Sequence, residues 1–392
     1  MDQAKLRAWW ASRQGLDGSQ ADCSAAELLA RSGWARSVGG VGPYLTLFSR
    51  AGLSRESVDA AVAACEIHEL PAARGCTYVV PAQDYAVALT VGQGFDASDF
   101  KLAAKLGVTE SELDSLCVAV AASLRKGPLE PNDIRTATGN ASRSLGEEGK
   151  KKGLTTTLPL ALSRLQSEGQ IRRVPVNGRL DQQRYAYAVW KPNPLSRTRL
   201  SRDEALTELA KRYFSWVGPA TLSEFQWFSG LSGKAAFAAT AALKLRPAEE
   251  GSDRLLLPDH VTEFQRFKCP KKPQYALVSS LDALFAARRD VRSLLDPTDQ
   301  VRDIFKDCSS GFSDLSSHAI VDRGRLIGLW DYDVESEAIV AATFVKRDKQ
   351  LESTIRETES FVRDQLSDAR SFSLDSPKSR VPRIDALRSF HR

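Results

Sequence analysis

Long apolar runs are missing from this chain of 392 residues. No stretch approaches the roughly 18 consecutive apolar residues that a membrane-spanning helix needs. The opening Met1-Asp2-Gln3-Ala4-Lys5 lacks the apolar segment of a secretory leader, so a cytoplasmic protein is expected. Histidine is scarce: His68, His260, His318 and His391 are the four copies, and none stands at i, i+4 from another. The six cysteines, Cys23, Cys65, Cys76, Cys117, Cys269 and Cys308, lie far apart, without the paired spacing of zinc ribbons or redox motifs. Reduced thiols and no protein metal site follow as expectations. The glycines of Ser37-Val38-Gly39-Gly40-Val41-Gly42 follow no strand signal, and no Gly-Lys-Ser/Thr ends them. That excludes dinucleotide and P-loop motifs, and no cofactor is expected.

The composition present is that of a folded chain. Hydrophobic residues make up 42% and charged residues 26%, too apolar for default disorder, and the length calls for two or three packed domains. Net charge is only +5, so its distribution is more informative than its total. Lys150-Lys151-Lys152, Arg172-Arg173, Arg197 to Arg202, Lys268 to Lys272 and Arg288-Arg289-Arg292 are positive clusters in segments that read as loops, wings or helix ends. Each is either solvated surface charge or part of a footprint for a polyanion.

A self-match organises the middle of the chain. Gly127-Pro128-Leu129-Glu130-Pro131-Asn132-Asp133-Ile134-Arg135-Thr136-Ala137-Thr138-Gly139 aligns without gaps to Gly218-Pro219-Ala220-Thr221-Leu222-Ser223-Glu224-Phe225-Gln226-Trp227-Phe228-Ser229-Gly230. Amphipathic stretches precede both, Ser115 to Lys126 and Arg202 to Val217. Gly-Pro ends each of these, since glycine accepts a left-handed C-terminal conformation and proline cannot continue the ladder. A short helix carrying an acid then an apolar residue follows, closed by the second glycine. Third helices are expected over Thr155 to Glu168 and Ser232 to Leu243. The pattern then changes to hairpins: Ile171 to Val176 and Arg184 to Val189 around Asn177-Gly178, and Leu243 to Arg246 and Arg254 to Leu257 around Glu249 to Ser252. Three helices followed by a hairpin read as a winged helix, a unit whose third helix enters the DNA major groove while the wing tracks the backbone.

The N-terminal third reads the same way more loosely, with helices at Ala25 to Ser32, Pro43 to Arg50 and Ser54 to Cys65 and a strand at Cys76 to Val80. From Tyr275 to Phe344 a small α/β element is expected, with a hairpin turned by Asp322-Arg323-Gly324. A helix over Val345 to Asp368 and a mobile basic tail follow. The expected fold class is therefore mainly α with small β-wings (α+β), three tandem winged helices plus a C-terminal α/β element. The boundaries are 1–95, 96–195, 196–262, 263–370 and a tail at 371–392. Double-stranded DNA is the expected partner, bound by a monomer.

Four stretches resemble one known family. They are Gly42-Pro43-Tyr44-Leu45-Thr46-Leu47-Phe48-Ser49-Arg50; Ala73-Arg74-Gly75-Cys76-Thr77-Tyr78-Val79-Val80; Ala210 through Gly218-Pro219 to Leu231; and Ile320 to Trp330, with Leu277 to Asp282 before it. The chain is similar in these to the AlkZ-like winged-helix DNA glycosylases. The resemblance implies a curved, basic, DNA-holding surface and excision of bulky alkylated purines. It also implies a catalytic signature of Gln, an apolar residue, then Gln or Asp, ahead of the Pro-Tyr helix. Ungapped alignment of Pro43-Tyr44 puts those polar positions at Arg36 and Val38. Arg36 would repel the cationic sugar that forms as the base departs, and Val38 can hold no water.

Either catalysis has moved to other residues or the protein binds DNA without reacting. Glu69 is the candidate for relocated chemistry, with His68 as a partner, against a reading as an ordinary surface or capping acid. Asp84 reads as the cap of a helix beginning near Tyr85. Arg36, Ser37, Gly39 and Gly40 are candidates for gripping phosphate through the glycine loop, and Lys150, Lys151, Lys152, Arg172, Arg173 and Arg179 for contacting the DNA backbone. Trp34, Tyr44 and Tyr78 could stack on a base or fill the core.

Overall fold

The structure, a computed structural model, describes residues 1–196, 198, 200–288, 290–305 and 314–390. Arg197, Arg199, Arg289, Cys308 and His391, named above, lie outside the described residues.

One order of elements, helix, short extended segment, helix, helix and two antiparallel strands, recurs three times among the described residues, the extended segment being a strand in the first copy and a single bridging residue in the other two. After α1 (Gln3–Arg13), the first copy comprises α2 (Ala25–Ser32), β1 (Ala35–Arg36), α3 (Gly42–Ala51), α4 (Arg55–Ala63), β2 (Ile67–Pro71) and β3 (Thr77–Pro81). Helices α5 (Tyr85–Gly92) and α6 (Ala97–Lys105) lead to the second copy. That copy has α7 (Glu110–Ser123), α8 (Pro131–Thr138), an extra short α9 (Gly146–Lys151), α10 (Leu158–Ser167), β4 (Ile171–Pro175) and β5 (Tyr185–Val189). The third has α11 (Arg202–Val217), α12 (Leu222–Ser229), α13 (Gly233–Ala241), β6 (Arg246–Pro247) and β7 (Leu255–Leu256). In all three the first extended segment pairs with the last strand: Ala35 with Val79, Leu129 with Tyr187, and Ala220 with Leu255.

Local chemistry explains these boundaries. Capping boxes start α2 (Ser24 with Glu27), α11 (Ser201 with Glu204) and α12 (Thr221 with Glu224), each satisfying backbone N–H groups that lack a partner within the helix. Proline at the first turn starts α3, α8 and α10. The two Gly-Pro helix stops differ. Gly127 has a positive φ of 144°, whereas Gly218 is extended at φ −63°, so Pro219 alone ends α11. Glycine suits that position for another reason: a side chain would meet the Phe214 carbonyl.

The C-terminal part is a four-stranded sheet ordered β11-β10-β9-β8, from β8 (Tyr275–Val278), β9 (His318–Asp322), β10 (Arg325–Asp333) and β11 (Ala338–Thr343). Helix α14 (Pro258–Arg266) precedes this sheet, the short α15 (Ala283–Ala286) follows β8, and α16 (Lys349–Phe361) follows β11. The expected mobile tail is instead largely helical, α17 (Pro377–Arg388). Arg380 is fully buried against Asp368, Arg383 bonds Asp331 and Asp375, and Arg388 bonds Asp333. Acids of β10 and the preceding loop thus neutralise these arginines, and Arg380 and Arg383 are largely covered, whereas Arg388 stays half-exposed.

Residues of the first copy and the C-terminal sheet share one core (Leu28, Tyr44, Leu47, Leu277, Ile320, Trp330), and residues of the first and third copies share another (Tyr78, Val80, Leu209, Phe214, Phe225). The second copy keeps a core of its own around Leu116, Val120, Ile134, Leu158 and Leu165. An ion pair whose side chains have no solvent exposure joins α3 to the segment after β8: Arg50 with Asp282 ahead of α15, at 2.8 Å on both guanidinium nitrogens. Arg50 Nε also donates to the Gln14 carbonyl at the end of α1, and Asp282 caps α15 through the Leu284 amide. Arg288, expected in a surface cluster, is likewise buried, its guanidinium 3.5 Å from the centre of the Trp10 ring.

Because one partner alone would leave an unpaired charge in a dry core, Arg50→Met is expected to cost about 3–5 kcal/mol of stability, read as a lower urea midpoint. Arg50→Met combined with Asp282→Leu is expected to recover part of that loss. Additive losses in the double variant would contradict this account.

Candidate functional site

The β1-β3-β2 sheet separates the two residues singled out as catalytic candidates. Successive side chains on a strand face opposite ways. On β2, Glu69 therefore shares a face with Ile67 and Pro71, and His68 shares the other with Leu70. His68 packs edge-on against Tyr85 and Trp190, with centroids 6.2 and 5.1 Å away. Neither ring nitrogen has a hydrogen-bond partner, and burial, helped by the charges of Arg172 and Arg173, lowers its pKa to about 3. It is a neutral core ring, and it does not assist Glu69.

Glu69 is buried, 5% exposed, and accepts a short hydrogen bond from the Ser37 hydroxyl. Burial raises its pKa, opposed by the Ser37 and Tyr185 hydroxyls and the charge of Arg173. A surface-acid reading is thereby excluded. Asp84 is a second buried carboxylate, but it does not cap α5. It accepts from Trp34 Nε1 at 2.8 Å and from Arg212 Nε at 2.9 Å, tying the first copy to α11.

A cleft of about 700 Å³ opens between the first and second copies, lined by Pro71, which shares the strand face of Glu69, and by Arg173, whose charge acts on Glu69. Pro71, Arg74, Gly75 and Thr77 of the first copy and Asn132, Arg135, Thr155, Thr156, Gln166, Arg173 and Tyr187 of the second line it, together with Phe95 and the carboxylates Asp96 and Asp99. Three guanidinium groups, several hydroxyls and two aromatic rings line it. Arg74 has a left-handed φ of 56° and lies over the Trp227 ring of α12 at 4.2 Å, so the third copy holds it in place. Arg135 is exposed, and Arg173 lies over the Tyr185 ring at 5.4 Å. Arg74 and Arg135 escaped the sequence reading because the cleft exists only where separate copies meet, and Tyr185 because its contact with Glu69 likewise joins two copies. Arg173 alone was in a visible basic cluster.

The remaining candidates divide. Arg36, on β1 opposite Tyr78, is half-buried, with a buried Nε that has no partner, and Val38 is half-buried. Ser37 is buried on Glu69, so it cannot grip phosphate. Gly39 and Gly40 are buried as well: a side chain at Gly40 would run into the Ser371 carbonyl, and the Val41 amide donates to the Arg370 carbonyl at 3.0 Å. The chain's own segment fills the space expected for a ligand. Arg179 is tied to Asp181 at 2.5 Å and to the Leu366 carbonyl, so it is structural. Lys150 and Lys152 face Glu147 and Glu148 on the exposed α9, with Lys151 exposed between them. Arg172 is half-buried beside His68. Trp34, Tyr44 and Tyr78 are core residues. Among the described residues no cluster of His, Cys, Asp or Glu could hold a metal ion, and no helix is long and apolar enough to cross a membrane.

With this geometry in place, the chain can be set beside known proteins. Residues 41–366 match the model of a family described as DNA glycosylase AlkZ-like. The chain belongs to the AlkZ-like family. Among solved structures, Streptomyces sahachiroi DNA glycosylase AlkZ is similar in fold, with a TM-score of 0.68 over 95% of this chain and 98% of that one, at 19% identity. Among curated proteins no sequence matches. Membership makes this AlkZ-like chain a DNA glycosylase-like protein, with DNA as partner and DNA repair as its setting. The Arg50–Asp282 pair joins two of the stretches in which the family resemblance was legible, and Arg74 and Trp227 join two others.

The environment of His68 has a measurable consequence. Between its unfolded value near 6.5 and about 3, the unfolded chain binds a proton that the folded chain does not, so stability falls as pH falls through that window. His68→Phe is expected to remove on the order of 3 kcal/mol of that pH dependence, seen as a flatter plot of melting temperature against pH. An unchanged slope would show that another group is responsible.

Proposed function

We propose that this protein grips duplex DNA with three winged-helix units and hydrolyses the N-glycosidic bond of a bulky alkylated base, with Glu69 as the carboxylate that serves the reaction. The observation supporting this reading is the buried Glu69, held by Ser37 and Tyr185 and influenced by Arg173, an arginine that also lines the cleft between the first and second copies. An alkylated purine already departs as a good leaving group, so the protein has to stabilise a sugar cation and direct a water. A carboxylate held by Ser37 and Tyr185 supplies negative charge in a low-dielectric site, where it acts most strongly on a developing cation. It takes over what Arg36 and Val38 cannot do. Arg173, Arg135 and Arg74, with Lys150, Lys151 and Lys152 on the exposed α9, supply the phosphate contacts. Arg172 adds to the positive field behind them. The protein acts as a monomer and in the cytoplasm in this reading.

The second reading, a DNA-binding protein without catalysis, is favoured by Arg36 and Val38 at the family's catalytic positions. One assay separates the two. Incubation with randomly methylated duplex is expected to release free base, Glu69→Gln to reduce release by about 100-fold or more, and duplex affinity to stay within a few-fold. Because the active form is the carboxylate and burial raises its pKa, release is expected to increase with pH through an apparent pKa above the ordinary glutamate value of 4.5. No base release from any alkylated duplex, with duplex binding retained, would favour the silent binder. For binding, Arg135→Ala is expected to weaken all duplexes alike and to reduce the slope of log affinity against log salt by about 1. A salt-independent affinity would contradict the electrostatic reading.

A further inference from the structure

Phe372 and Leu374 are 43% and 83% exposed, two large apolar side chains separated by one serine. They do not sit on a loose connector. The Ser371 amide donates to the Asp375 carboxylate at 2.9 Å, the Asp375 amide to the Phe372 carbonyl at 3.0 Å, and the Ser376 amide to the Leu374 carbonyl at 3.0 Å. Asp375 is held in turn by Arg383 at 2.9 Å, and the Ser371 hydroxyl meets that of Ser280 at 3.0 Å. Ser371 and Asp375 are buried while the three residues between them point outward.

The same turn is fastened to the loop that positions the proposed carboxylate. Ser373 donates its amide to the Val38 carbonyl at 3.1 Å, and Val38 adjoins Ser37, which bonds Glu69. With Gly40 seated under the Ser371 carbonyl, turn and loop form one body. The two apolar side chains therefore keep a fixed position relative to Glu69. A turn serving only to connect α16 with α17 would have no need of phenylalanine and leucine in water. Lys378, exposed on the first turn of α17, adds a positive charge four residues after Leu374 in the chain.

We propose that Phe372 and Leu374 form a wedge that enters the base stack of duplex DNA beside the nucleotide handled at Glu69. The proposal rests on the reading of this protein as one that acts on DNA. A base leaving the stack opens a gap whose faces are apolar, and a rigid apolar pair fills it without any loop having to be ordered on binding. The turn lies beyond the residues matched by the family model.

The test uses the full chain and a short duplex carrying 2-aminopurine, whose fluorescence rises when it is unstacked. Binding of the wild-type protein is expected to raise that fluorescence. Phe372→Ser with Leu374→Ser is expected to reduce the rise by about threefold or more, while affinity for the duplex by anisotropy changes by less than about threefold. Leu374→Ser alone, at the more exposed position, is expected to reduce it in part, which guards against misfolding of the double variant. An undiminished rise in a variant with wild-type melting behaviour would overturn the wedge. So would a concentration-dependent dimer in sedimentation that the double variant abolishes, which would assign the two side chains to self-association. If the wild-type protein binds no duplex, the DNA reading falls together with the wedge. Binding without a difference between wild type and variants removes the wedge alone.

Discussion

Arg50 and Asp282 set the frame for the remainder of the molecule. Two opposite charges without solvent contact are tolerable only when the guanidinium and carboxylate satisfy one another and their neighbours satisfy the rest. Here the neighbours are the Gln14 carbonyl, the Thr46 carbonyl and the Leu284 amide, drawn from parts of the chain far apart in sequence. Each is thereby brought to one point. With α3 fixed against α15, the loop preceding α3 has little freedom, and Ser37 in that loop meets Glu69 on the neighbouring sheet. The ion pair thus acts on the candidate site through geometry, at a distance from any reacting atom.

The alternation of a single strand then makes two adjacent residues chemically unlike. His68 enters an aromatic core, where it stays neutral and has no hydrogen-bond partner, and Glu69 enters a polar niche with two hydroxyls and a nearby arginine. Nothing in the pair His-Glu distinguishes these outcomes. They follow from the register of β2 against β3 and from which neighbouring element covers each face.

This is also where the sequence stops being informative. The Gly-Pro self-match, the Asn-Gly and Asp-Arg-Gly turns and the capped helices are local signals, and α11 starts and ends at the residues the pattern implies. The C-terminal hairpin turns where Asp322-Arg323-Gly324 places it. Features that depend on contact between distant segments were not legible. Arg179 and Arg383 look like phosphate ligands until their acids are seen beside them. The glycines at 39 and 40 look open until the segment at 370 and 371 fills the space. Pro382, which inside a helix removes a backbone hydrogen bond, and a run of basic residues disguised α17 as a tail. Strand β2 was missed because Ile67-His68-Glu69-Leu70-Pro71 holds too few β-branched residues to signal an extended segment.

The loop that joins β4 to β5 does not project into solvent as a free wing would. Leu180 is buried in the first core, and its amide donates to the Tyr44 hydroxyl at 2.9 Å. The second copy, although it folds around its own core, is therefore latched to the first core through Leu180 as well as through the packing of α10 on α5. The cleft between the two copies behaves like a caliper with its screw tightened. Widening its gap would require Leu180 to leave the core, so the separation of its walls is tied to the packing of that one side chain.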